Sequence, residues 1–67
     1  MPDVELKNRI RAKYGSESEM ARQIGWPRQR LNKITNGIKE PDVAELHVIA
    51  VSLGLSISKV ATFFLHG

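Results

Sequence analysis

Cysteine is absent from the 67 residues, which excludes disulfides, thiolate metal sites and a thiol nucleophile. Aromatic residues are scarce as well, with one tryptophan, one tyrosine and two phenylalanines, so any core has to be mainly aliphatic. The longest apolar stretch, residues 48–55, is broken by Ser52 and Gly54 and falls far short of the about 20 residues a helix needs to cross a bilayer. The opening segment, MPDVELKNR, has no apolar signal core. There is no alternating strand pattern of useful length, no internal repeat and no low-complexity stretch. His47 and His66 are too few and too far apart for a metal site, and no nucleophile-elbow motif surrounds any serine. These absences set the expectation of a single soluble cytoplasmic domain over residues 1–67, with no catalytic residues, no metal and no cofactor.

What is present is a lopsided charge. The net value of +3 hides a middle block, residues 7–39, in which nine lysines and arginines face only Glu17 and Glu19, a surplus of seven. The flanks are acidic: Asp3 and Glu5 before it, and Glu40, Asp42 and Glu45 against Lys59 after it. A basic half of this kind suits a polyanion, because phosphates neutralised on docking release their counterions.

Four glycines, Gly15, Gly25, Gly37 and Gly54, close segments that read as helical. The first segment has Asp3 as a cap and places Leu6, Ile10 and Tyr14 on one stripe. In the second, Ser16 and Glu19 match a capping box, and Met20, Ala21 and Ile24 supply the buried face. Pro27 suits a first helical position, so a third helix is expected over residues 27–36 with Leu31 and Ile34 as its core contacts. Asp42 caps a fourth, with Glu45 three residues on and Leu46, Ile49, Ala50 and Leu53 inward. Ser56 caps a fifth that carries Val60, Phe63 and Phe64. Two adjacent phenylalanines are not expected to share one core, so one of them should be exposed. The fold class is all-α, a compact arrangement of five short helices. Trp26, beside the turn glycine, is expected to lid the core.

The third helix is the most polar. With Leu31 and Ile34 turned inward, a rotation of about 100° per residue sends Gln29, Asn32, Lys33 and Asn36 outward together, flanked by Arg28 and Arg30. Arg30 lies nearer the core side, suited to a phosphate or an acidic neighbour. Glutamine and asparagine can bond adenine twice, and arginine or lysine can donate to both acceptors of guanine in the major groove. The outward set holds no carboxylate, which a groove lined with phosphate would penalise. A short helix, a tight glycine turn and a second helix of this character make a helix-turn-helix from helices 2 and 3. The free amides near Ser16, Glu17 and Ser18 then offer a phosphate site, and Asn36, Gly37 and Lys39 sit where a backbone clamp belongs.

In joint register, the stretches SESEMARQIG (16–25), Leu31, Ile34 and Gly37, GIKEP (37–41) and LHVIAVSLGLS (46–56) resemble the Cro and lambda-repressor-like helix-turn-helix family, the xenobiotic-response-element family of bacterial and phage regulators. The resemblance covers most of the chain. It implies a five-helix domain that binds double-stranded operator DNA, near-palindromic and occupied by a symmetric homodimer, and that regulates transcription, as a repressor by family habit. Carried over by position, it makes Arg28, Gln29, Asn32 and Lys33 the readers of base edges and gives the phosphates to Ser16, Ser18, Arg30, Asn36 and Lys39. Three positions depart from the family's pattern: Glu17 replaces a common glutamine, Thr35 a common glutamate, and Pro27 a capping serine or threonine. Dimerisation is expected at the aromatic C-terminal end, through Phe63, Phe64 and Leu65. The rival reading is a protein-binding module, an antitoxin or adaptor that keeps the fold and uses that end, or the helix face, on a partner protein.

Overall fold

The structure, a computed structural model, describes residues 4–65. Five helices follow in order: α1 (Val4–Tyr14), α2 (Glu17–Ile24), α3 (Arg28–Thr35), α4 (Val43–Leu53) and α5 (Ile57–Thr62), with no strand among the described residues. The expected Asp3 cap lies outside those residues. Helix α1 packs on α2 and α4, α2 on α3, and α4 on α5.

Every helix contributes to one core: Leu6 and Ile10, Met20 and Ala21, Leu31 and Ile34, Ile49 and Ala50, and Val60, closed by Phe63. Burying each large aliphatic side chain stabilises the fold by about 1.5 to 3 kcal/mol. Tyr14, Ile24, Trp26, Leu46, Leu53, Leu55 and Phe64 form a half-buried rim around that centre. The Tyr14 hydroxyl donates to the Ser52 carbonyl at 2.9 Å, which ties the end of α1 to the end of α4.

The α2–α3 turn is set by backbone chemistry. Gly25 takes a φ of 79°, and the amides of Gly25 and Trp26 return to the carbonyls of Arg22 and Ala21, so α2 stops within one residue. A side chain at that φ costs about 1 to 2 kcal/mol. Gly37, at φ 76°, makes the matching stop after α3. Pro27 is the residue before the helix rather than its first member. Its ψ of 142° is extended, it makes no side-chain cap, and α3 begins at Arg28.

Two further expectations are corrected. Ser16 accepts from the Glu19 amide at 3.1 Å, but the Glu19 carboxylate does not complete a capping box; it bonds Arg22 and Gln23, which one helical turn brings within reach. The complete box is the later one, Asp42 with Glu45. Phe63 and Phe64 both pack against the core, Phe63 at 3 % exposure and Phe64 half-buried. This happens because α5 ends at Thr62 and the two residues sit on a tighter terminal turn, their amides bonding Val60 and Ala61 three residues back. The exposed apolar residue at that end is Leu65, at 76 %.

Candidate nucleic-acid interface

Helices α2 and α3 meet at the Gly25 turn and leave an open cleft of about 360 Å³ lined by Ser18, Arg28, Gln29, Asn32 and Lys33. The four residues expected to read bases and one expected to hold phosphate thus share one surface depression. All five are solvent-exposed. Arg28 and Lys33 make no ion pair among the described residues, so both charges are open to a ligand. The first two amides of α2, Glu17 and Ser18, have no preceding helical turn to bond, and they sit at the positive end of the helix dipole.

Elsewhere four of the seven other cations of the basic block are paired internally. Arg9 bonds Glu5 and Arg22 bonds Glu19, both across one helical turn at the surface. The Arg22 guanidinium, with help from the Gln23 amide, holds the Glu19 carboxyl below its ordinary pKa. Lys7, Arg11, Lys13, Arg28 and Lys33 remain without an ion-pair partner among the described residues. The positive field therefore concentrates on α1 and on the outward face of α3.

The remaining two cations converge on Glu45. Its side chain is 1 % exposed, and its two oxygens accept from Arg30 Nε at 2.8 Å, Lys39 Nζ at 2.5 Å and the Asp42 amide at 3.0 Å. The Lys39 bond is the strongest influence and outweighs burial, so the carboxyl pKa falls from 4.5 to about 2. The Arg30 guanidinium also lies 4.4 Å from the centre of the Trp26 ring. Arg30 and Lys39, expected at phosphates, are thus anchored inward by one end, and each side chain keeps about 40 % exposure.

Asn36 is also committed. Its Oδ1 accepts from Lys7 Nζ at 2.6 Å, and its Nδ2 donates to the Asn32 carbonyl and side-chain oxygen at 2.8 and 2.9 Å. Asn32 Nδ2 in turn donates to Glu17 Oε1 at 3.3 Å, and the Thr35 hydroxyl donates to the same oxygen at 2.7 Å. The outward face of α3 has no carboxylate of its own, but α2 brings one to it. Sequence reading did not find these roles for Glu45, Glu17, Thr35 and Lys7. A capping box flagged Glu45 without its burial, Glu17 and Thr35 stood out only as departures from the family's pattern, and no local signal marked Lys7.

No helix among the described residues is long and apolar enough to cross a membrane, and no cluster of three potential metal-ligating His, Cys, Asp or Glu side chains occurs among them. A family model described as helix-turn-helix matches residues 6–60, which takes in α2, α3 and α4 whole and most of α1 and α5. No curated protein and no solved structure matches the chain.

Proposed function

The chain belongs to the Cro and lambda-repressor-like helix-turn-helix family, a family of DNA-binding transcription regulators and not of enzymes, and we propose that it reads a specific operator by laying α3 in the major groove. The observation that carries this reading is the single cleft that unites Ser18 with Arg28, Gln29, Asn32 and Lys33 beneath two unpaired cations. In the complex, α2 lies across the backbone and its first amides, with the Ser16 and Ser18 hydroxyls, take a phosphate. Arg28 and Lys33 donate to guanine acceptors, and Gln29 and Asn32 face adenine. The exposed outer parts of Arg30 and Lys39 reach flanking phosphates. Asn36 stands between Lys7 and Asn32, and Lys7 brings positive charge to the same flank.

The protein acts as a repressor of bacterial or phage origin in the cytoplasm, where occupying the groove excludes other proteins from the same duplex. It works as a homodimer on near-palindromic sites whose half-site centres lie about 34 Å apart, one helical turn. The burial of Phe63 leaves Leu65 and the outer edge of Phe64 as the C-terminal surface for pairing.

The test is selection of randomised duplexes by the purified protein at about physiological salt, followed by fluorescence anisotropy on the enriched sequences across a salt series. A near-palindromic motif whose affinity falls steeply with salt is the expected result. Absence of any enriched motif, with only weak salt-labile binding, overturns the reading in favour of a partner-protein module.

A further inference from the structure

We propose that Asn32 is a pre-oriented reader of one adenine and that Glu17 is the positioning residue that fixes the direction of its amide. The inference rests on α3 being the groove helix. It starts from the row of polar groups that crosses this helix from α1 to α2: Lys7, Asn36, Asn32, Glu17.

An asparagine amide on a helix surface can ordinarily turn over, exchanging its donor and acceptor ends. Here the row ends in groups with no such freedom. The Lys7 ammonium only donates, so the group it meets at 2.6 Å is Asn36 Oδ1, and Asn36 Nδ2 faces the other way. That nitrogen also only donates, and it meets Asn32 Oδ1 at 2.9 Å. Asn32 Nδ2 is left pointing to Glu17 Oε1, at 3.3 Å, and an ionised carboxylate only accepts. The Thr35 hydroxyl, on a residue 1 % exposed, holds that carboxylate oxygen from the interior side at 2.7 Å. Turning over either amide would set donor against donor at one end and acceptor against acceptor at the other.

The same bookkeeping identifies the ligand. Asn32 has two N–H groups and two lone pairs on its side-chain oxygen; the row uses one of each, leaving one donor and one acceptor on an exposed side chain that lines the cleft. In the major groove adenine presents N7 as an acceptor beside the N6 amino group as a donor. Guanine presents two acceptors, so its O6 would face the Asn32 oxygen lone pair to lone pair, and cytosine and thymine each satisfy one group only. Adenine is the base that uses both.

Glu17 also explains its own cost. A carboxylate at the start of the helix that crosses the backbone repels phosphate, so this position weakens binding to every sequence while sharpening the choice of one base. The two effects have opposite signs on removal of the charge. A merely structural Glu17 would lower affinity and stability together and leave base preference as it was.

The experiment is duplex selection with the wild-type chain, Asn32→Ala, Glu17→Gln and Lys7→Met, followed by anisotropy on the selected duplex, on its single-base variants, and on a duplex carrying 7-deazaadenine, which lacks the N7 acceptor. The wild type is expected to require adenine at the position facing Asn32 in each half-site, distinct from the one facing Gln29, and to lose about tenfold in affinity with 7-deazaadenine there. Asn32→Ala should accept any base at that position, be indifferent to 7-deazaadenine and keep its other preferences. Glu17→Gln should bind all duplexes a few-fold more tightly and discriminate at that position a few-fold less, and Lys7→Met should share the loss of discrimination. A wild-type motif that Asn32→Ala leaves intact at every position, or discrimination unchanged in Glu17→Gln, overturns this inference and leaves the groove reading standing. No motif for the wild type overturns both. A wild type that loses no affinity with 7-deazaadenine at any adenine of its motif overturns this inference even if a variant fails to fold.

Discussion

Arg30 Nε donates to Glu45 Oε2 at 2.8 Å, joining α3 to the helix beyond the next loop. Lys39, in that loop, closes on the other carboxylate oxygen, and Trp26, in the turn before α3, lies beneath the Arg30 guanidinium. One buried carboxylate therefore organises what comes before, within and after α3. Two cations of the basic block owe their orientation to it.

Removing that carboxylate should be costly. Glu45→Ala deletes two charge-assisted bonds and half of the α4 capping box, each hydrogen bond to a charged group contributing about 1.5 to 3 kcal/mol and the cap about 1 kcal/mol. Because Arg30 and Lys39 are partly exposed and regain water, the expected net loss is about 2 to 4 kcal/mol in urea unfolding followed by circular dichroism. A loss under about 0.5 kcal/mol would show that the cluster is decoration.

The same group sets an acid limit. Its pKa in the fold, about 2, lies below the ordinary 4.5, so its contribution is fully present above pH 4.5 and is lost as pH falls toward 2. The difference corresponds to roughly 3 to 4 kcal/mol. Wild-type stability should fall across that window, and Glu45→Gln, less stable at pH 7, should show a shallower fall when unfolding curves are compared from pH 6 to pH 2. Parallel profiles for the two proteins would remove Glu45 from the account.

Arg28 and Lys39 should separate base reading from charge. Arg28→Ala is expected to change the preferred base at one position, at a cost of about 1 to 3 kcal/mol for the original sequence. Lys39→Ala should weaken all duplexes alike and reduce the dependence of log K on log salt by about one. Anisotropy titrations on matched and mismatched duplexes at several salt concentrations check both. A uniform loss from Arg28→Ala would move it to the phosphate set.

Phe63 and Leu65 should part company in the same way. Phe63→Ala opens the core beside Val60 and is expected to cost about 3 to 5 kcal/mol in stability. Leu65→Ser, at an exposed position, should change stability by less than about 0.5 kcal/mol and shift sedimentation equilibrium toward monomer. Unchanged self-association in Leu65→Ser would place the dimer contact elsewhere.

What the sequence determined by itself is local. The Ser16, Asp42 and Ser56 caps, the Gly25 and Gly54 stops, and the inward stripes of Leu6 with Ile10, Met20 with Ala21 and Leu31 with Ile34 are each written within a turn or two of helix, where the interacting groups are near neighbours whatever the rest of the chain does. That is why the five helices and the polar face of α3 were legible before any fold was known. The tertiary structure decided how that face is wired. Asn32 and Glu17 are 15 residues apart, Arg30 and Glu45 also 15, Thr35 and Glu17 18, and Lys7 and Asn36 29. No spacing rule joins such pairs, because their meeting depends on the angle and register at which α1 packs on α2 and α4 and α2 packs on α3. Packing of the shared aliphatic core sets those angles, and so it also decided that both phenylalanines turn inward, that Glu45 is buried, and that the α3 face, free of acid in its own sequence, acquires a carboxylate from α2.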